Sequence, residues 1–241
     1  MTPRFPTETS SYEIEGTSSV MEYVRYRPHA VTCVYYKDKL PGAFLPLLNQ
    51  HGIQHRQVPN EKSHSKNRTL WAEVQITSLD ESELYQRLQG DENAMTLLAL
   101  DHLQDPHNLG AIARSAAFFG VHYMIAPDRR QVLLTHAAIK TSQGAFALTE
   151  LYTVTNLVRC LKKLQEQGYW IIGTDMKGEP MADVARKFPK RVLVVGSEGT
   201  GLSNLVRRTC DVIATIPTPN PQLDSLNVSV ATGISLYCLN S

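Results

Sequence analysis

One segment of the chain places an amide, a glycine and an arginine at spacings that suit a substrate site. Residues 101–120 read DHLQDPHNLGAIARSAAFFG and begin where a predicted strand over residues 96–100 ends. Ligands of open α/β sheets gather at the carboxyl ends of the strands. Asn108 could cap the helix that follows, and Gly110 and Arg114 share one face of that helix, with space above the arginine. The segment predicts an arginine presented to a substrate; a capped helix with a solvated arginine is the alternative.

A second segment is a glycine-rich turn that follows another predicted strand. Residues 195–202 read VGSEGTGL, and the glycine spacing fits neither G-x-G-x-x-G nor the phosphate-binding P-loop. The carboxylate of Glu198 in the middle of the turn would repel a pyrophosphate, whereas it could receive a hydroxyl, an amino group or a cation. The turn therefore predicts a site for a ligand other than a dinucleotide, with a purely structural glycine turn as the alternative.

A third segment combines a stiff loop with alternating polar residues. Residues 216–231 read IPTPNPQLDSLNVSVA, in which three prolines restrict the backbone. Ser225, Asn227 and Ser229 then alternate with apolar residues, which suits a set of polar side chains presented to a site. Ordinary N-capping of a helix by Ser225 is the alternative.

Other polar residues indicate less. His102, Asp105 and His107 lack the helical i, i+4 pairing and the third distant ligand of a metal site, so no metal is expected. The net charge of +1 does not imply general binding to nucleic acid. A local basic cluster near the N-terminus is nevertheless a candidate RNA surface, with a solvated face as the alternative; it comprises His51, His55, Arg56, Lys62, His64, Lys66 and Arg68.

The elements that must position these segments alternate regularly after residue 94. Continuous apolar, β-branched runs predict strands over residues 96–100, 121–126, 147–154, 169–174, 191–196 and 211–216. Helical patterns lie between or after them, over residues 109–119, 155–167 and 225–239. Strands of this kind separated by helices predict an α/β fold in which a parallel sheet carries helices on both faces.

The N-terminal part has a different pattern of predicted elements. Residues 1–25 are rich in Thr, Ser and Glu and predict a flexible tail, and residues 26–80 predict a small α/β substrate-binding domain. That domain would hold strands over residues 31–36, 53–58 and 70–76 and a short helix that ends at Gly52. The charged residues 81–93 are interpreted as a linker to a domain of residues 94–241.

Composition limits the cell compartment and class of the protein. The hydrophobic fraction of 42% excludes a disordered chain, and no apolar run is long enough to span a bilayer. The N-terminus has no signal-peptide pattern, and the four cysteines contain no CxxC pair. A cytoplasmic protein without a membrane partner is expected.

Together the three segments resemble the three motifs of the SpoU (TrmH-type) RNA 2′-O-ribose methyltransferases of the SPOUT superfamily. The resemblance covers residues 95–241, and the small N-terminal domain is similar to the one that rRNA-modifying members carry. It implies a C-terminal deep trefoil knot, S-adenosyl-L-methionine as cofactor, structured RNA as substrate, with rRNA favoured over tRNA, and a homodimer.

The resemblance also implies roles for individual residues. Arg114 takes the position of the family's catalytic arginine, either as a base or as an electrostatic stabiliser, and Asn108, Glu198, Ser225 and Asn227 take the supporting catalytic positions. The cofactor would be held by loops that carry Thr174, Val195, Gly196, Gly201, Ile216, Pro217 and Leu226. The rival functions are a catalytically silent RNA-binding protein of this fold and a dinucleotide-dependent oxidoreductase, which the glycine spacing disfavours.

Overall fold

Two sheets organise the chain. The structure is a computed structural model that describes residues 9–59, 68–129, 131–220, 222 and 225–240. Most of the loop predicted over residues 60–68, with Lys62, His64 and Lys66 of the basic cluster, lies outside the described residues. No helix of the described ranges is long and apolar enough to cross a bilayer.

The first sheet has four strands in the order β1-β4-β2-β3. The three strands and the helix predicted for residues 26–80 are present, and Gly52 ends the helix with a positive φ of 65°. The elements are β1 (Thr9–Glu15), α1 (Thr17–Tyr26), β2 (Val31–Tyr36), α2 (Phe44–His51), β3 (Gln54–Gln57) and β4 (Leu70–Thr77).

The N-terminal segment differs from the expected flexible tail. Residues 1–8 lie outside the described residues, but β1 pairs antiparallel with β4 along its whole length, and α1 follows directly. Val20, Tyr23 and Val24 of α1 are buried, at the helical spacing that lets one face pack against a core. Polar Ser, Thr and Glu residues on the exposed positions hid this short apolar face from composition alone.

The second sheet has seven strands in the order β11-β9-β10-β6-β7-β8-β5, and every recorded pairing in it is parallel. All six strands predicted after residue 94 are present, with ends shifted by a few residues. The elements are β5 (Leu79–Asp80), α3 (Glu81–Gln89), β6 (Thr96–Asp101), α4 (Pro106–Phe118), β7 (Tyr123–Pro127), α5 (His136–Ser142), β8 (Glu150–Val154), α6 (Leu157–Glu166), β9 (Trp170–Pro180), α7 (Met181–Ala185), β10 (Arg191–Gly196), α8 (Asn204–Thr209), β11 (Val212–Thr215) and α9 (Val228–Asn240).

Helices cover both faces of this sheet. Alternate residues of its strands belong to two separate sets of buried side chains, such as Leu98 and Leu193 on one face and Leu97 and Val192 on the other. The first face carries α4, α5, α7 and α9, and the second carries α3, α6 and α8. The predicted parallel sheet with helices on both faces is therefore confirmed.

The segment over residues 81–93 is not a simple linker. The Asp80 carboxylate accepts hydrogen bonds from the backbone N–H groups of Ser82 at 2.8 Å and Glu83 at 3.0 Å, while the Glu83 carboxylate accepts one from Asp80 N. This reciprocal capping begins α3, which buries Leu84 against the large sheet. Because β5 pairs with β8, the segment belongs to the large sheet and its helical layer.

Polar and apolar contacts join the two sheets. Arg27 donates to Glu150 at 2.6 Å and to the carbonyl of Ala147 at 3.1 Å, and Arg87 donates to the same carboxylate at 2.7 Å. One continuous set of buried side chains includes Val24 from α1 and Phe146 from the turn before β8. The small sheet is thus packed against the large one.

Candidate active site

The first motif begins α4 differently from the expected capping by Asn108. Asp105 is the N-cap: its carboxylate accepts from His107 N at 2.8 Å, and Pro106 occupies the first helical position. Proline favours that position because the missing N–H has no partner there in any case. Asn108 consequently lies in the first turn, buried, with its amide group available for contacts outside the helix.

One carboxylate oxygen joins all three motifs. Glu198 Oε1 accepts hydrogen bonds from Asn108 Nδ2 at 2.6 Å and from Asn227 Nδ2 at 2.7 Å. Asn227 Nδ2 also donates to Asn108 Oδ1 at 3.1 Å. Hydrogen bonds to an ionised acceptor are the stronger kind, so this network fixes three segments that are distant in sequence.

The third motif places Asn227, and not Ser225, at the start of its helix. Asn227 Oδ1 accepts from Ser229 N at 2.9 Å and from the Ser229 hydroxyl at 2.6 Å, and α9 begins at Val228. Asn227 therefore caps the helix with its oxygen while its nitrogen reaches Glu198. Ser225 is exposed, and within the described residues it makes no hydrogen bond, so it is not part of this network.

The glycine-rich turn is shaped by its glycines. Ser197 and Gly201 exchange two backbone hydrogen bonds at 3.1 and 3.0 Å, and Gly199 and Gly201 have φ angles of 85° and 64°. A Cβ on Gly196 would lie 2.2 Å from the carbonyl carbon of Gly201. The glycines are therefore needed for the shape of the turn, and the turn places Glu198 where the two asparagines meet.

Sequence reasoning missed a second carboxylate of the site. Asp101, the last residue of β6, is 1% exposed, and its Oδ2 accepts from Ser203 N at 2.6 Å. Its Oδ1 lies 2.6 Å from Nδ1 of His102, which has a φ of 62°. The available signal was a carboxylate at the end of an otherwise apolar buried strand, where a charge is retained only if it is paired.

The loops that carry the expected cofactor residues meet at one edge of the sheet. Strands β9, β10 and β11 are neighbours and parallel, so the residues that follow their carboxyl ends lie together. Residues 174–178 form a bulge of β9 between Gly173, which pairs with Ile213, and Glu179, which pairs with Ala214. These loops carry Thr174, Val195, Gly196, Gly201, Ile216, Pro217 and Leu226.

Close backbone contacts hold this edge together. The Thr174 hydroxyl donates to the carbonyl of Val194 at 3.1 Å. A Cβ on Gly178 would lie 2.3 Å from the carbonyl oxygen of Ile213, so the bulge depends on a glycine there. Asp175 in the bulge pairs with Arg207 of α8.

Arg114 is exposed on α4 and has no hydrogen bond or ion pair within the described part of the chain. The sequence predicted that Gly110 clears space for a ligand, and this is wrong. A Cβ at that position would lie 2.5 Å from the carbonyl oxygen of Ala138, so the space is already filled by the protein. The glycine instead lets α4 pack closely on α5. The guanidinium remains available to an anion from outside the protein.

The remaining expectations concern metal ions and basic residues. Among the residues that the structure describes, no group of three or more His, Cys, Asp or Glu side chains could hold a metal ion. Arg68 is paired with Glu13 at 2.5 Å and Glu15 at 2.9 Å, so it contributes less to the basic cluster than its sequence position suggests. Arg56 is exposed on β3.

Comparisons with known proteins agree with the geometry. The sequence model of the SpoU rRNA Methylase family matches residues 95–237. The 23S rRNA (guanosine-2′-O-)-methyltransferase RlmB of Coxiella burnetii is 42% identical over 95% of this chain and 93% of that protein. RlmB of Ralstonia nicotianae is 34% identical, with 92% of each chain covered. The SpoU methyltransferase AviRb from Streptomyces viridochromogenes, solved in complex with AdoMet, has a similar fold, with a TM-score of 0.77 at 22% identity over 95% of this chain and 89% of that one.

Proposed function

Because this chain belongs to the SpoU rRNA methylase family, we propose that it transfers a methyl group from S-adenosyl-L-methionine to a ribose 2′-hydroxyl of ribosomal RNA. The observation that carries the proposal is the meeting of Asn108 and Asn227 at one carboxylate oxygen of Glu198. Asn108 lies on α4, the helix that exposes Arg114. These residues come from three separate segments of the chain, and nothing in local folding alone requires their side chains to meet.

The relatives narrow the substrate. RlmB of Coxiella burnetii is named for guanosine in 23S rRNA, and the similarity covers nearly the whole of both proteins. We therefore propose a guanosine of 23S rRNA as the target of this chain. Its small sheet, with the exposed Arg56, would contact the RNA outside the target nucleotide, while residues 94–241 would perform the transfer.

The loops at the edge formed by β9, β10 and β11 fit the cofactor. The expected binding residues carry no charged side chain, so they would hold the cofactor through backbone groups and apolar contacts; they are Thr174, Val195, Gly196, Gly201, Ile216, Pro217 and Leu226. The contact between Gly196 and Gly201 leaves backbone groups, rather than side chains, to line this part of the edge. When bound, the cofactor supplies an electrophilic methyl group.

Arg114 would act on charge that develops during the transfer. A guanidinium does not lose its proton in proteins, so we assign Arg114 to stabilising the developing alkoxide or gripping the adjacent phosphate. Asn108, Glu198 and Asn227 would hold the helix and loops in place around it. Ser225 would join them only through a contact with substrate or cofactor.

The path of the chain near its C-terminus supports the trefoil knot that the family implies. After β11 the chain crosses back, and Asn227 reaches Asn108 of α4 and the glycine-rich turn. Then α9 packs against α4 and α7. We propose that this return passes through the loops that hold the cofactor.

A second copy of the chain would cover the outer face of α4 and α9. Phe118 is 82% exposed on α4, and Val230, Ile234 and Tyr237 are exposed on α9. This apolar face starts within one helical turn of Arg114, so we propose a homodimer in which the second copy borders the catalytic site. The RNA substrate and the four unpaired cysteines support a cytoplasmic location.

Two measurements test the proposed function. Purified protein with isotopically labelled S-adenosyl-L-methionine should label 23S rRNA, and mass spectrometry should map the label to a ribose 2′-oxygen of a guanosine. The same nucleotide should lack the methyl group in cells without the gene. RNA and cofactor binding without any transfer would instead support the catalytically silent alternative.

A further inference from the structure

The connection between β6 and α4 is short and places the whole first motif. β6 ends at Asp101 and Asp105 is the N-cap of α4, so residues 102–104 join the strand to the helix. That helix carries Asn108 and Arg114. Because the connection has no spare length, a shift of its backbone would also shift the start of α4. Whatever holds the connection therefore helps to place these two side chains.

Leu103, in the middle of the connection, is held by a segment that follows β7. Its N–H donates to Oε1 of the Gln131 side chain at 2.6 Å, and its carbonyl accepts from Val132 N at 2.7 Å. The Gln131 amide nitrogen donates to the carbonyl of Val132 at 3.3 Å, which keeps the amide oxygen directed at Leu103. Leu103 is buried, so its N–H would be left without a partner if the Gln131 oxygen were removed.

The residue before Leu103 has a strained backbone. The φ of His102 is 62°, in the left-handed region that glycine and asparagine tolerate better than histidine. Such a conformation costs free energy and persists only where the surrounding structure imposes it. The Asp101 carboxylate lies 2.6 Å from Nδ1 of the His102 ring, and the two bonds to Leu103 hold the next peptide. The connection therefore keeps its path because of partners outside it, and Gln131 is one of them.

The segment that carries Gln131 is itself anchored to other elements. The carbonyl of Leu134 accepts from the Tyr12 hydroxyl of β1 at 3.2 Å. The Thr135 hydroxyl accepts from Ala138 N at 3.2 Å and caps α5, the helix on which α4 packs. Gln131 thus belongs to a fixed segment and can support Leu103.

Resting on the proposed function, we propose that Gln131 is a positioning residue for methyl transfer. It acts through Leu103, which sets the start of α4 and hence the places of Asn108 and Arg114. The loops expected to hold the cofactor follow β9, β10 and β11, whereas Gln131 follows β7, on the other side of β6 in the order of the strands. Loss of the Gln131 oxygen should therefore slow the transfer step and leave cofactor binding unchanged.

The test compares single-turnover methyl transfer to 23S rRNA by the whole chain, at saturating RNA and S-adenosyl-L-methionine, in Gln131→Met, Gln131→Glu and wild type. Methionine keeps the length of the side chain but offers Leu103 N only a weak acceptor. The rate should fall by roughly 10–10²-fold, since a misplacement of about 1 Å can cost 10²-fold. Glutamate keeps an oxygen acceptor there and should retain more of the rate than methionine. The dissociation constants of cofactor and RNA should not change in either variant.

A shorter side chain gives a second, independent variant. Gln131→Asn keeps the amide but withdraws its oxygen by one methylene, so it should also slow the transfer without changing cofactor affinity. It decides the question even if the methionine variant fails to fold. Circular dichroism at the assay temperature identifies which variants are folded.

Gln165→Met is the matched control. Gln165 lies on α6, on the face of the sheet opposite to α4, and its amide donates to the carbonyl of Thr209 at 3.1 Å and to the Asp211 carboxylate at 2.8 Å. Its loss should lower the melting temperature and leave the rate at saturation unchanged.

Wild-type protein that transfers no methyl group would overturn the proposed function itself. With an active wild type, three results would overturn only the role of Gln131. These are an unaltered rate in the folded Gln131 variants, an equal loss of rate in Gln165→Met, and a loss confined to cofactor affinity.

Discussion

Among individual residues, the candidate site depends on a few polar atoms that short hydrogen bonds hold in place. Asn108 and Glu198 are 90 residues apart in sequence, and their side chains lie 2.6 Å apart. Each asparagine uses its amide nitrogen on Glu198, and Asn227 uses its oxygen to cap α9. Arg114 is different, because nothing in the described protein holds its guanidinium, and this freedom suits contact with RNA.

Arg114→Ala should abolish most methyl transfer without weakening the fold. Losing a donor aimed at developing charge typically costs about 3–4 kcal/mol of activation free energy, or roughly 10²–10³ in rate. Single-turnover transfer to rRNA measures this effect, and calorimetry should find an unchanged melting temperature and cofactor affinity. Arg114→Lys should recover only part of the rate, since an ammonium lacks the planar fork.

The matched control for this change is Arg208→Ala. Arg208 is exposed on α8, on the opposite face of the sheet from α4, and its loss should leave the rate unchanged. Near-wild-type turnover of Arg114→Ala on a competent RNA would mean that the catalytic assignment is wrong.

At the element scale, tight backbone approach builds the edge of the sheet. Gly196 ends β10 against Gly201, and Gly178 packs the β9 bulge on Ile213. A Cβ does not fit at either glycine, whatever the strand or turn propensity of the residue that replaces it. The same holds where α4 meets α5 at Gly110.

Gly196→Ala should disrupt the glycine-rich turn. The added Cβ would lie 2.2 Å from the Gly201 carbonyl carbon, so the turn must move and take Glu198 with it. We expect a loss of about 1–3 kcal/mol in the free energy of unfolding and a large loss of cofactor affinity. Urea unfolding and equilibrium binding of S-adenosyl-L-methionine measure the two effects.

Gly42→Ala provides the control, because its Cβ would meet nothing within 4 Å and its φ is not positive. It should leave both quantities unchanged. If Gly196→Ala bound the cofactor like the wild type, the turn would have no part in that site.

The stability that the ion cluster of Arg27, Arg87 and Glu150 contributes should depend on pH. Burial raises the pKa of Glu150, but a hydrogen bond from Tyr152 and the positive charges of Arg27 and Arg87 outweigh this, and the pKa lies below the ordinary 4.5. A lowered carboxyl pKa gives stability that is present above the ordinary value and is lost as pH falls through the folded-state value. The ion cluster should therefore stabilise the protein at neutral pH and cease to do so in acid.

Arg27→Ala should remove about 1–3 kcal/mol from the free energy of unfolding at pH near 7, since Glu150 and the Ala147 carbonyl lose a charged donor. Urea unfolding at neutral and acidic pH should find that the difference from wild type shrinks in acid. Arg25→Ala, on an exposed position of the same helix, should be close to neutral. An equal loss from both variants would contradict a specific role for the Glu150 cluster.

For the molecule as a whole, the outer face of α4 and α9 is apolar and lies beside the polar edge that carries the candidate site. Buried Val228 and Leu236 face the sheet, while Val230 and Ile234 face outward. A helix that is apolar on both sides suits an interface better than a solvated surface. The proposed homodimer would bury this second side.

Ile234→Asp should convert the dimer to a monomer, because a carboxylate would be buried in an apolar interface without a partner. Sedimentation at micromolar concentration should change from twice the chain mass of 26.9 kDa to that mass. Leu45 lies on the exposed side of α2, the helix between β2 and β3, and Leu45→Asp should leave the dimer intact. A wild-type protein that sediments only as a 26.9 kDa species would contradict the interface.

Sequence patterns were sufficient to predict the large sheet and to select most residues of the candidate site. Strands that are buried on both faces carry uninterrupted apolar runs, so β6 and β10 could be recognised from residues 96–100 and 191–196 alone. Asn108, Arg114, Glu198 and Asn227 could be selected because each lies at a fixed place within a motif. Local patterns failed where apolar positions were few, as in α1, and where charge suggested a linker, as in α3.

Which groups meet depends on how the folded chain packs. The register of β6 on β10 brings Asp101 beside Gly196, and the return of the chain after β11 brings Asn227 to Glu198. The same packing places Gly110 between α4 and α5, pairs Arg68 with two glutamates and puts His102 against Asp101. These contacts join residues far apart in the chain or depend on one backbone angle, whereas periodicity and spacing record only what neighbouring residues prefer.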